Sequence, residues 1–564
     1  MRLIDFPKSL ALRVLVCALS LLLRAAIPTR VAYLGLHDDD WMVSNARWIA
    51  DGDFIRKWTV LSMNKELGYP FFVALTMKLN ISPVFFAHAI FVAISLALVQ
   101  ALQLHLSQKI QGLMLTALVL NPAIFGLTAS RIYRDMLTVN LTLLLLVLVI
   151  NLYRLSATKS MISHGGLTCV VGFIMSLWLR MTRIDTYWIL VVVTIASTPA
   201  IFSIFRQMDA GRQVQVKSAS FIMILLLGSI GVGQLIAPRV SAEINSRRYG
   251  VGLPDDFFAG EFGALLMTWS SISTESNVPY TPIAKDQRAK AYDQSSSLRQ
   301  LKPLIEGDFS SGWRSISCQA TGVCDDIAGG YFAHAVRDAY AFLYPNSSAI
   351  RFQKFMRTAN RDLLSGCKTK KILCGARGIN TQLPSIAEID WGPTLKTAGS
   401  FIVTRSLRFN DSVSFNAVGP SDGPNAAAWQ QLLKGSLGTR LIDFNGTPAW
   451  LRGPIQMGFW LMGWVLAVTI SFGIFALCVL AIPQRWNLMA WVGVGSLIGV
   501  ALHALVIAIA AQNSMGPLSF GGIWELTYLL QEVPFLVIAG IAGLQLLSKS
   551  IYSRRDDTLE NRGN

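Results

Sequence analysis

Three short charged clusters hold the side chains of this chain that could do chemistry. They are residues 37–41 (HDDDW), 130–135 (SRIYRD) and 180–185 (RMTRID). A carboxylate that reaches a substrate hydroxyl can act as a general base. Guanidinium groups suit a phosphate or pyrophosphate, because their forked donors match its oxygens. This combination predicts a hydroxyl-bearing acceptor and a phosphate-bearing donor.

The composition places these clusters in an integral membrane protein. The chain has 564 residues, of which 52% are hydrophobic and 15% charged, and its mean hydropathy is +0.46. A soluble domain carries about 25% charged residues, so much of this surface must face lipid. The net charge of +16 is explained by Lys and Arg in cytoplasmic loops that meet anionic lipid. Nucleic-acid binding is therefore not expected.

The apolar stretches predict a mainly α-helical, polytopic membrane bundle. A span needs roughly 20 apolar residues, and about ten stretches qualify. The segment 67–81 is too short and is predicted to be a juxtamembrane or re-entrant helix. The predicted spans are about 11–28, 83–104, 111–129, 136–152, 165–179, 186–205, 218–237, 456–482, 486–511 and 523–547.

Basic residues predict the orientation of the bundle. Inner loops are enriched in Lys and Arg, and ten spans would place both termini in the cytoplasm. We therefore expect a multi-pass protein of the plasma (inner) membrane. Residues 1–28 could instead be a signal peptide, but they lack a clean small-residue cleavage site. The inner loops would hold Lys109, Arg154, Lys159, Arg206, Arg212, Lys217 and Arg485, and the tail Lys549, Arg554 and Arg555.

This orientation divides the chain into four parts. Residues 1–237 form an N-terminal membrane domain with an outer loop at 29–82, and residues 238–455 a large, mostly α extracytoplasmic domain between spans 7 and 8. Residues 456–548 form a three-helix membrane segment, and residues 549–564 a cytoplasmic tail.

Four cysteines in the large loop fit disulfides in an oxidising compartment. Four cysteines allow three connectivities, of which we predict the local pairs Cys318–Cys324 and Cys367–Cys374. A zinc site is the competing interpretation, but neither pair has CxxC spacing and only His334 is nearby.

The predicted orientation puts the three charged clusters on the same outer side of the membrane. Two of them lie in very short loops, so their charges must sit close to the bilayer. Charges there must pair or face a wet cavity, which predicts one shared polar site that takes a polyprenyl-phosphate donor. The alternative is interfacial residues that only pair with one another. Carboxylates with a His could also hold a divalent metal.

The chain resembles the GT-C glycosyltransferases, which include protein O-mannosyltransferases, oligosaccharyltransferases and lipid A aminoarabinose transferases. Their first outer loop has an acidic pair, then Ala, an apolar position and Gly, then an apolar segment with Pro. Residues 34–81 are similar: Asp38–Asp39 precede Ala46, Ile49 and Gly52, and residues 65–72 read KELGYPFF. Residues 130–135 resemble the family's second acidic site, and 182–185 (TRID) its Arg-acidic turn, although Ile184 stands where a second acid is common.

A second resemblance extends to about residue 385. Residues 329–339 (GGYFAHAVRDA) are similar to a GG-(F/Y)-F-x-x-A-x-R-D-A pattern. That pattern occurs in an uncharacterised bacterial group of multi-pass membrane proteins, whose members also have nearby cysteines. The GT-C resemblance covers roughly residues 10–205.

The resemblance implies an inverting transferase. Asp38 would deprotonate an acceptor hydroxyl of a glycan, lipid or protein, and the polyprenyl phosphate would leave. Asp39 or Asp40 would be the substitute base, and Asp135 would orient the acceptor or hold a metal. The candidates for donor binding are Lys65, Arg131, Arg134, Arg183 and Asp185, with Arg24 a weaker one.

Other polar residues leave alternatives open. Glu525 and Glu532 on the last span could form a proton path or an interhelical bond. That would fit a transporter or flippase for a lipid-linked or anionic substrate. His503 is predicted to be hydrogen-bonded packing, and Arg337–Asp338 to take part in a structural ion pair. A non-catalytic envelope protein would be favoured if the three clusters lay far apart.

Overall fold

The computed structural model confirms a mainly α-helical chain. In the part of the chain that it describes there are 19 α-helices and no β-strand. The described residues are 6–27, 29, 36–52, 58–59, 62–63, 65–126, 128–155, 161–207, 213–276, 278–375, 389–407, 432, 449–481, 487–511 and 529–560.

Local signals set several helix ends in the first half of the chain. The Ser82 hydroxyl caps α4 by accepting from the Phe85 amide, and Pro83 occupies its first turn. Ser107 caps α5 in the same way. The helices are α1 Phe6–Ala26, α2 Leu36–Ala50, α3 Gly68–Leu79, α4 Pro83–Ala101, α5 Gln108–Val119, α6 Asp135–Leu155, α7 Met161–Thr182, α8 Trp188–Gln207 and α9 Gln213–Tyr249.

The described part of the second half contains ten helices, of which the first six pack together. Among these six, α15 is amphipathic: Phe352, Met356, Ala359 and Leu363 form one buried stripe. The helices are α10 Gly260–Ser270, α11 Lys285–Gln294, α12 Ser296–Glu306, α13 Ser311–Thr321, α14 Tyr331–Leu343, α15 Ala349–Lys368, α16 Trp391–Leu407, α17 Ala449–Leu480, α18 Leu488–Ala510 and α19 Val533–Glu560.

Seven helical segments in the described ranges are long and apolar enough to cross a membrane, as in an integral membrane protein. Each corresponds to a predicted span. They are Pro83–Ala101, Asp135–Arg154, His164–Thr182, Phe221–Tyr249, Arg452–Leu480, Leu488–Ala510 and Leu530–Ile551.

Two elements differ in length from the sequence prediction, and one short helix agrees with it. The expected span at 111–129 is α5, a helix of 12 residues. It ends because Asn121 caps a new 3-10 turn at Pro122–Phe125, where proline cannot donate to the preceding turn. The segment 67–81 contains α3, also of 12 residues. Helix α9 continues through Pro238 to Tyr249, so the predicted boundary at 237 lies inside a helix.

The chain has two main hydrophobic cores. The first joins the membrane-length helices and includes Trp41, Phe91 and Phe125. The second lies among α10–α15, which we call the second helical cluster, and is centred on aromatic residues such as Trp269 and Phe352. Each fully buried side chain of this size contributes about 1.5–3 kcal/mol. The second cluster is therefore stabilised by its own core.

Arg337 ties the second helical cluster to the segment between α2 and α3. Its guanidinium pairs with the buried carboxylate of Asp256 and donates to the Ser62 carbonyl at 2.9 Å. The Asp256 amide donates to the Met63 carbonyl at 2.9 Å. The structural ion pair predicted for Arg337 is thus formed with Asp256, while Asp338 accepts from the Trp313 indole. These contacts place the cluster beside the segment that precedes α3.

Both predicted local disulfides are present, Cys318–Cys324 and Cys367–Cys374. Cys17, Cys169 and Cys478 are free thiols. Among the described residues no group of three His, Cys, Asp or Glu side chains could hold a metal ion. The cysteines of the second helical cluster are therefore cross-links in this structure.

Thiol labelling tests these cross-links. Denatured, unreduced protein should take up N-ethylmaleimide at the three free cysteines only, and at all seven after reduction. Intact mass spectrometry counts the adducts. Cys318→Ser should add one further adduct by releasing Cys324. Seven adducts before reduction would contradict both bonds.

Candidate functional site

Four elements bring the predicted site residues together. Helix α2 carries Asp38 and Asp39, and the segment before α3 carries Lys65. The turn leading into α6 carries Arg131, Arg134 and Asp135, and the turn after α7 carries Arg183 and Asp185. Side chains from all four elements meet in ion pairs. The three charged clusters therefore lie together, as predicted.

Gly68 allows two of these elements to approach closely. A Cβ atom on Gly68 would lie 2.6 Å from the backbone of Met181, near the end of α7. The Trp178 indole donates to the Gly68 carbonyl at 2.9 Å. A larger residue would push the start of α3 away from α7. Glycine here therefore holds Lys65 and Glu66 close to the turn that contains Arg183.

Asp38 is the partly accessible carboxylate of the site. Its Oδ2 lies 2.6 Å from Lys65 Nζ and accepts from the Tyr133 hydroxyl at 3.2 Å. The Asp38 side chain is 13% exposed and that of Lys65 17%. Burial alone would raise the pKa of Asp38, but Lys65 and His334 outweigh it and hold that pKa well below its usual range. Asp38 is therefore ionised, with one edge open to a ligand.

Asp39 has a different environment, although it is the next residue. It is fully buried and forms a two-point ion pair with Arg131, whose Nε donates to Oδ2 at 3.2 Å. Successive residues on an α-helix point about 100° apart, so Asp38 faces the open edge while Asp39 faces the turn before α6. This arrangement favours Asp38 over Asp39 as the base. Both Asp39 and Arg131 are engaged in holding α2 in place.

Arg134 forms an ion pair that the sequence did not predict. Its Nη1 donates to Glu66 Oε2 at 3.2 Å. Glu66 also affects Asp255, at the edge of the second helical cluster: burial and the Glu66 charge raise the pKa of Asp255 to about 7. The only sequence signal for Glu66 was its position next to Lys65. This pair links the start of α3 to the turn before α6.

Arg183 joins two of the predicted carboxylates. Its Nη1 donates to Asp135 Oδ1 at 2.9 Å and its Nε to Asp185 Oδ1 at 2.6 Å. Arg183 and Asp135 are almost completely buried. Asp135 Oδ2 has no hydrogen-bond partner among the described residues. The predicted acceptor-orienting role of Asp135 would need a substrate that reaches this buried oxygen.

His503 extends the network into the membrane-length helices. Its Nε2 lies 3.5 Å from Asp185 Oδ2, and its Nδ1 lies 2.7 Å from Glu532 Oε1. The Gln531 amide is 2.6 Å from the same Nε2, and the Trp188 ring packs on the imidazole. His503 is buried and hydrogen-bonded, as predicted, but its partners are the charged groups of the site. Glu525 lies outside the described residues.

The second helical cluster contributes His334. Its charge acts on Asp38, and its ring stacks on Trp313 with centroids 5.3 Å apart and beside Phe257 at 4.9 Å. The segment 329–339, noted in the sequence, therefore places one polar side chain near the candidate base.

The described residues do not fit a divalent metal. Asp38, Asp39 and Asp135 each pair with a cationic side chain, and within the described ranges no three potential ligands converge. The His37 side chain, a predicted metal candidate, lies outside the described residues. Asp40 lies next to the pair on α2, and the ion pairs described for Lys65, Arg131 and Arg183 are formed with other carboxylates.

Sequence reasoning missed Tyr133, Glu66 and the connection from Asp185 to His503. Tyr133 lies within the RIYRD stretch, but nothing local indicates that its hydroxyl meets Asp38. His503 lies 318 positions after Asp185 in the chain, too far for any spacing rule to connect them. No family model, curated protein or solved structure matches the chain.

Proposed function

We propose that this protein is a GT-C-like glycosyltransferase of the plasma (inner) membrane. It would move a sugar from a polyprenyl-phosphate donor to a hydroxyl of an envelope glycan, lipid or protein at the outer face. The observation that carries the proposal is Asp38, an ionised and partly open carboxylate within hydrogen-bond distance of Lys65 and Tyr133. Such a group can remove a proton from a bound hydroxyl.

The proposed step is a single inverting displacement. Asp38 takes the proton of the acceptor hydroxyl, and the hydroxyl oxygen forms a bond to the anomeric carbon. The bond from that carbon to the phosphate oxygen breaks, and the polyprenyl phosphate leaves with the electron pair. The proton remains on Asp38 until it is released to water. Inversion follows because acceptor and leaving group occupy opposite faces of the sugar.

Lys65 would couple donor binding to activation of Asp38. In the present structure its ammonium lies 2.6 Å from the Asp38 carboxylate, which makes Asp38 a weak base. A donor phosphate competes for the same ammonium. As Lys65 moves towards the phosphate, the pKa of Asp38 rises towards the range useful for a general base. Lys65 would then offset the negative charge of the leaving group.

The arginines of the site are better suited to holding neighbouring carboxylates in place than to binding the donor phosphate. Arg131 holds Asp39, Arg134 holds Glu66, and Arg183 holds Asp135 and Asp185. A donor phosphate would have to displace a buried carboxylate to reach Arg131 or Arg183. The aromatic surroundings of His334, close to Asp38, support an acceptor site on the second helical cluster.

Envelope analysis of a deletion strain tests the proposal. Mass spectrometry of envelope glycans and lipids should show loss of one sugar from its acceptor, with accumulation of a polyprenyl-linked sugar. The wild-type gene should restore the product, and Asp38→Asn should not. Asp51→Asn, at the exposed end of α2, is the matched control and should restore it. Unchanged glycans and lipids in the deletion strain would argue against the transferase.

A transporter or flippase for a lipid-linked or anionic substrate is the second candidate. The series Asp185, His503 and Glu532, of which His503 and Glu532 are buried, favours it, because ionisable groups within a membrane often mark proton paths. Glu532→Gln removes the charge and can keep a hydrogen bond to His503. If the protein is a transferase, purified Glu532→Gln should still form product in detergent, where no proton gradient exists. A wild-type protein that forms no product in detergent but moves its substrate across liposomes would favour the transporter.

A further inference from the structure

Arg24 is a buried guanidinium near the end of α1. The residue is 2% exposed. Its Nη1 donates to the Ser130 hydroxyl at 3.1 Å, and its Nη2 donates to the Ile27 carbonyl at 2.8 Å. Among the described residues no Asp or Glu forms an ion pair with it, in contrast to Arg131 and Arg183. An unpaired buried charge is strongly unfavourable. The arrangement therefore calls for an anion that the described residues do not supply.

Unused hydrogen-bonding groups lie in the same neighbourhood. His88 is 1% exposed and lies close enough to Arg24 for the two side chains to interact electrostatically. Its Nε2 bonds to the Ser20 hydroxyl at 2.9 Å, while its buried Nδ1 has no partner within the described part of the chain. The hydroxyl of Thr128, in the turn that also carries Ser130, is likewise buried without a described partner. These groups could contact the oxygens of an anion held by Arg24.

The position of α1 indicates a lipid as the source of that anion. Ser20 and Arg24 face the bundle, four residues apart on one side of the helix. The other side of α1 is apolar and exposed, so it faces acyl chains. A lipid lying along this side can bring its phosphate to Arg24 at the helix end. The exposed residues are Leu10, Leu12, Val14, Leu15, Leu19 and Leu22.

Arg24 is also linked to the Asp38 site. It contacts Ser130, and the next residue, Arg131, holds Asp39. Tyr133 in the same turn contacts Asp38. An anion at Arg24 would thus sit beside the turn that organises the candidate base. The same turn carries Tyr133, whose hydroxyl accepts from Lys65 at 3.2 Å, and Lys65 is the ammonium proposed to bind the donor phosphate.

We infer that Arg24, with Ser130, binds the phosphate of a lipid headgroup at the inward side of α1. Its assignment to the donor of the sugar rests on the proposed function. Phosphate binding itself is measurable without any transfer activity. Lipid phosphate and free phosphate share the same chemistry at Arg24, so the two sources are separated by experiment.

Titration of the full-length protein in detergent, followed by native mass spectrometry, tests the inference. The probe is farnesyl phosphate, with farnesol and inorganic phosphate as competitors. We expect one tightly bound farnesyl phosphate per chain. Arg24→Gln should bind it about 10- to 100-fold more weakly, because a charge-assisted hydrogen bond is lost. Arg24→Lys should retain part of the affinity. Arg13→Gln, on the same helix and bonded to Gln111, is the matched control and should bind as wild type.

The melting temperature separates a binding role from a structural one. If Arg24 serves to bind a ligand, its charge is uncompensated in the unliganded protein. Arg24→Gln removes that charge and should not lower the melting temperature of the unliganded protein. Unchanged farnesyl phosphate binding by Arg24→Gln would overturn the inference, and so would equal competition by farnesol. Strong competition by inorganic phosphate would overturn the lipid source.

The transferase proposal and the phosphate site at Arg24 can be refuted independently of each other. Asp38→Asn should bind farnesyl phosphate at least as tightly as the wild type, because it removes the carboxylate that competes with the phosphate for Lys65. If binding depends on Arg24 but no sugar is transferred, the lipid-phosphate site is supported and the transferase proposal is rejected. If transfer depends on Asp38 but Arg24→Gln binds farnesyl phosphate as the wild type does, the transferase proposal is supported and the phosphate site at Arg24 is rejected.

Discussion

Asp38→Asn should lower the rate of sugar transfer by about 10²–10⁴-fold, the usual contribution of a general base. The substitution removes the proton acceptor but keeps an oxygen that can accept from Tyr133. Product formation by the purified protein, with a lipid-linked donor identified from the deletion strain, measures the effect. Asp51→Asn, immediately after the same helix, should retain the wild-type rate.

The fold should survive this substitution, because the Asp38 pair is not fully buried. Lys65 is 17% exposed and can be solvated when its partner loses its charge. We therefore expect the melting temperature of Asp38→Asn in detergent to stay near that of the wild type. A wild-type transfer rate in a folded Asp38→Asn protein would remove Asp38 from the role of base. A marked loss of folding would instead indicate a structural ion pair.

Asp39→Asn should have the opposite profile, with a loss of stability of about 3–5 kcal/mol, because it leaves the charge of Arg131 buried and unbalanced. The Asp39 and Arg131 side chains are 0% and 3% exposed. Denaturant or thermal unfolding in detergent measures the change. The double variant Asp39→Asn/Arg131→Met should recover much of the loss, since it removes both charges.

A surface ion pair on the same helix provides the control for this prediction. Arg47 and Asp51 are 36% and 56% exposed and lie 3.6 Å apart. Exposed pairs contribute about 0.2–1 kcal/mol, so Asp51→Asn should change the stability little. Equal stability of Asp39→Asn and Asp51→Asn would contradict a structural role for the buried pair.

Together, the two predictions assign a catalytic role to one aspartate and a structural role to its neighbour. In the sequence, Asp38 was the candidate base only through the family resemblance, with Asp39 or Asp40 as the substitute. Their difference arises from the direction in which each side chain leaves α2 and from what packs there. A transferase should lose catalysis at Asp38 and stability at Asp39. Similar effects of both substitutions would mean that the helix faces are not as described.

Local sequence patterns were enough to predict a membrane protein whose charged clusters lie together. Long apolar stretches must become helices in lipid, because no water is available for their backbone groups. Charged residues in short loops near the bilayer had to find partners for the same reason. The sequence left three connectivities open for the four cysteines of the large loop, and the structure contains the predicted local pairs. Each of these expectations depends on neighbours in the chain or on the solvent.

Which acid pairs with which cationic or hydroxyl group depends on how the helices pack in three dimensions. Tyr133 bonds to Asp38 across 95 residues, and Arg183 bonds to Asp135 across 48. His503 lies 318 positions from Asp185, and Arg337 bonds to Asp256 across 81 residues. Apolar helices pack by shape, and no local pattern specifies which polar side chains that packing brings into contact. The accessibility of Asp38, the burial of Asp39 and the lack of a described acid beside Arg24 therefore appear only in three dimensions.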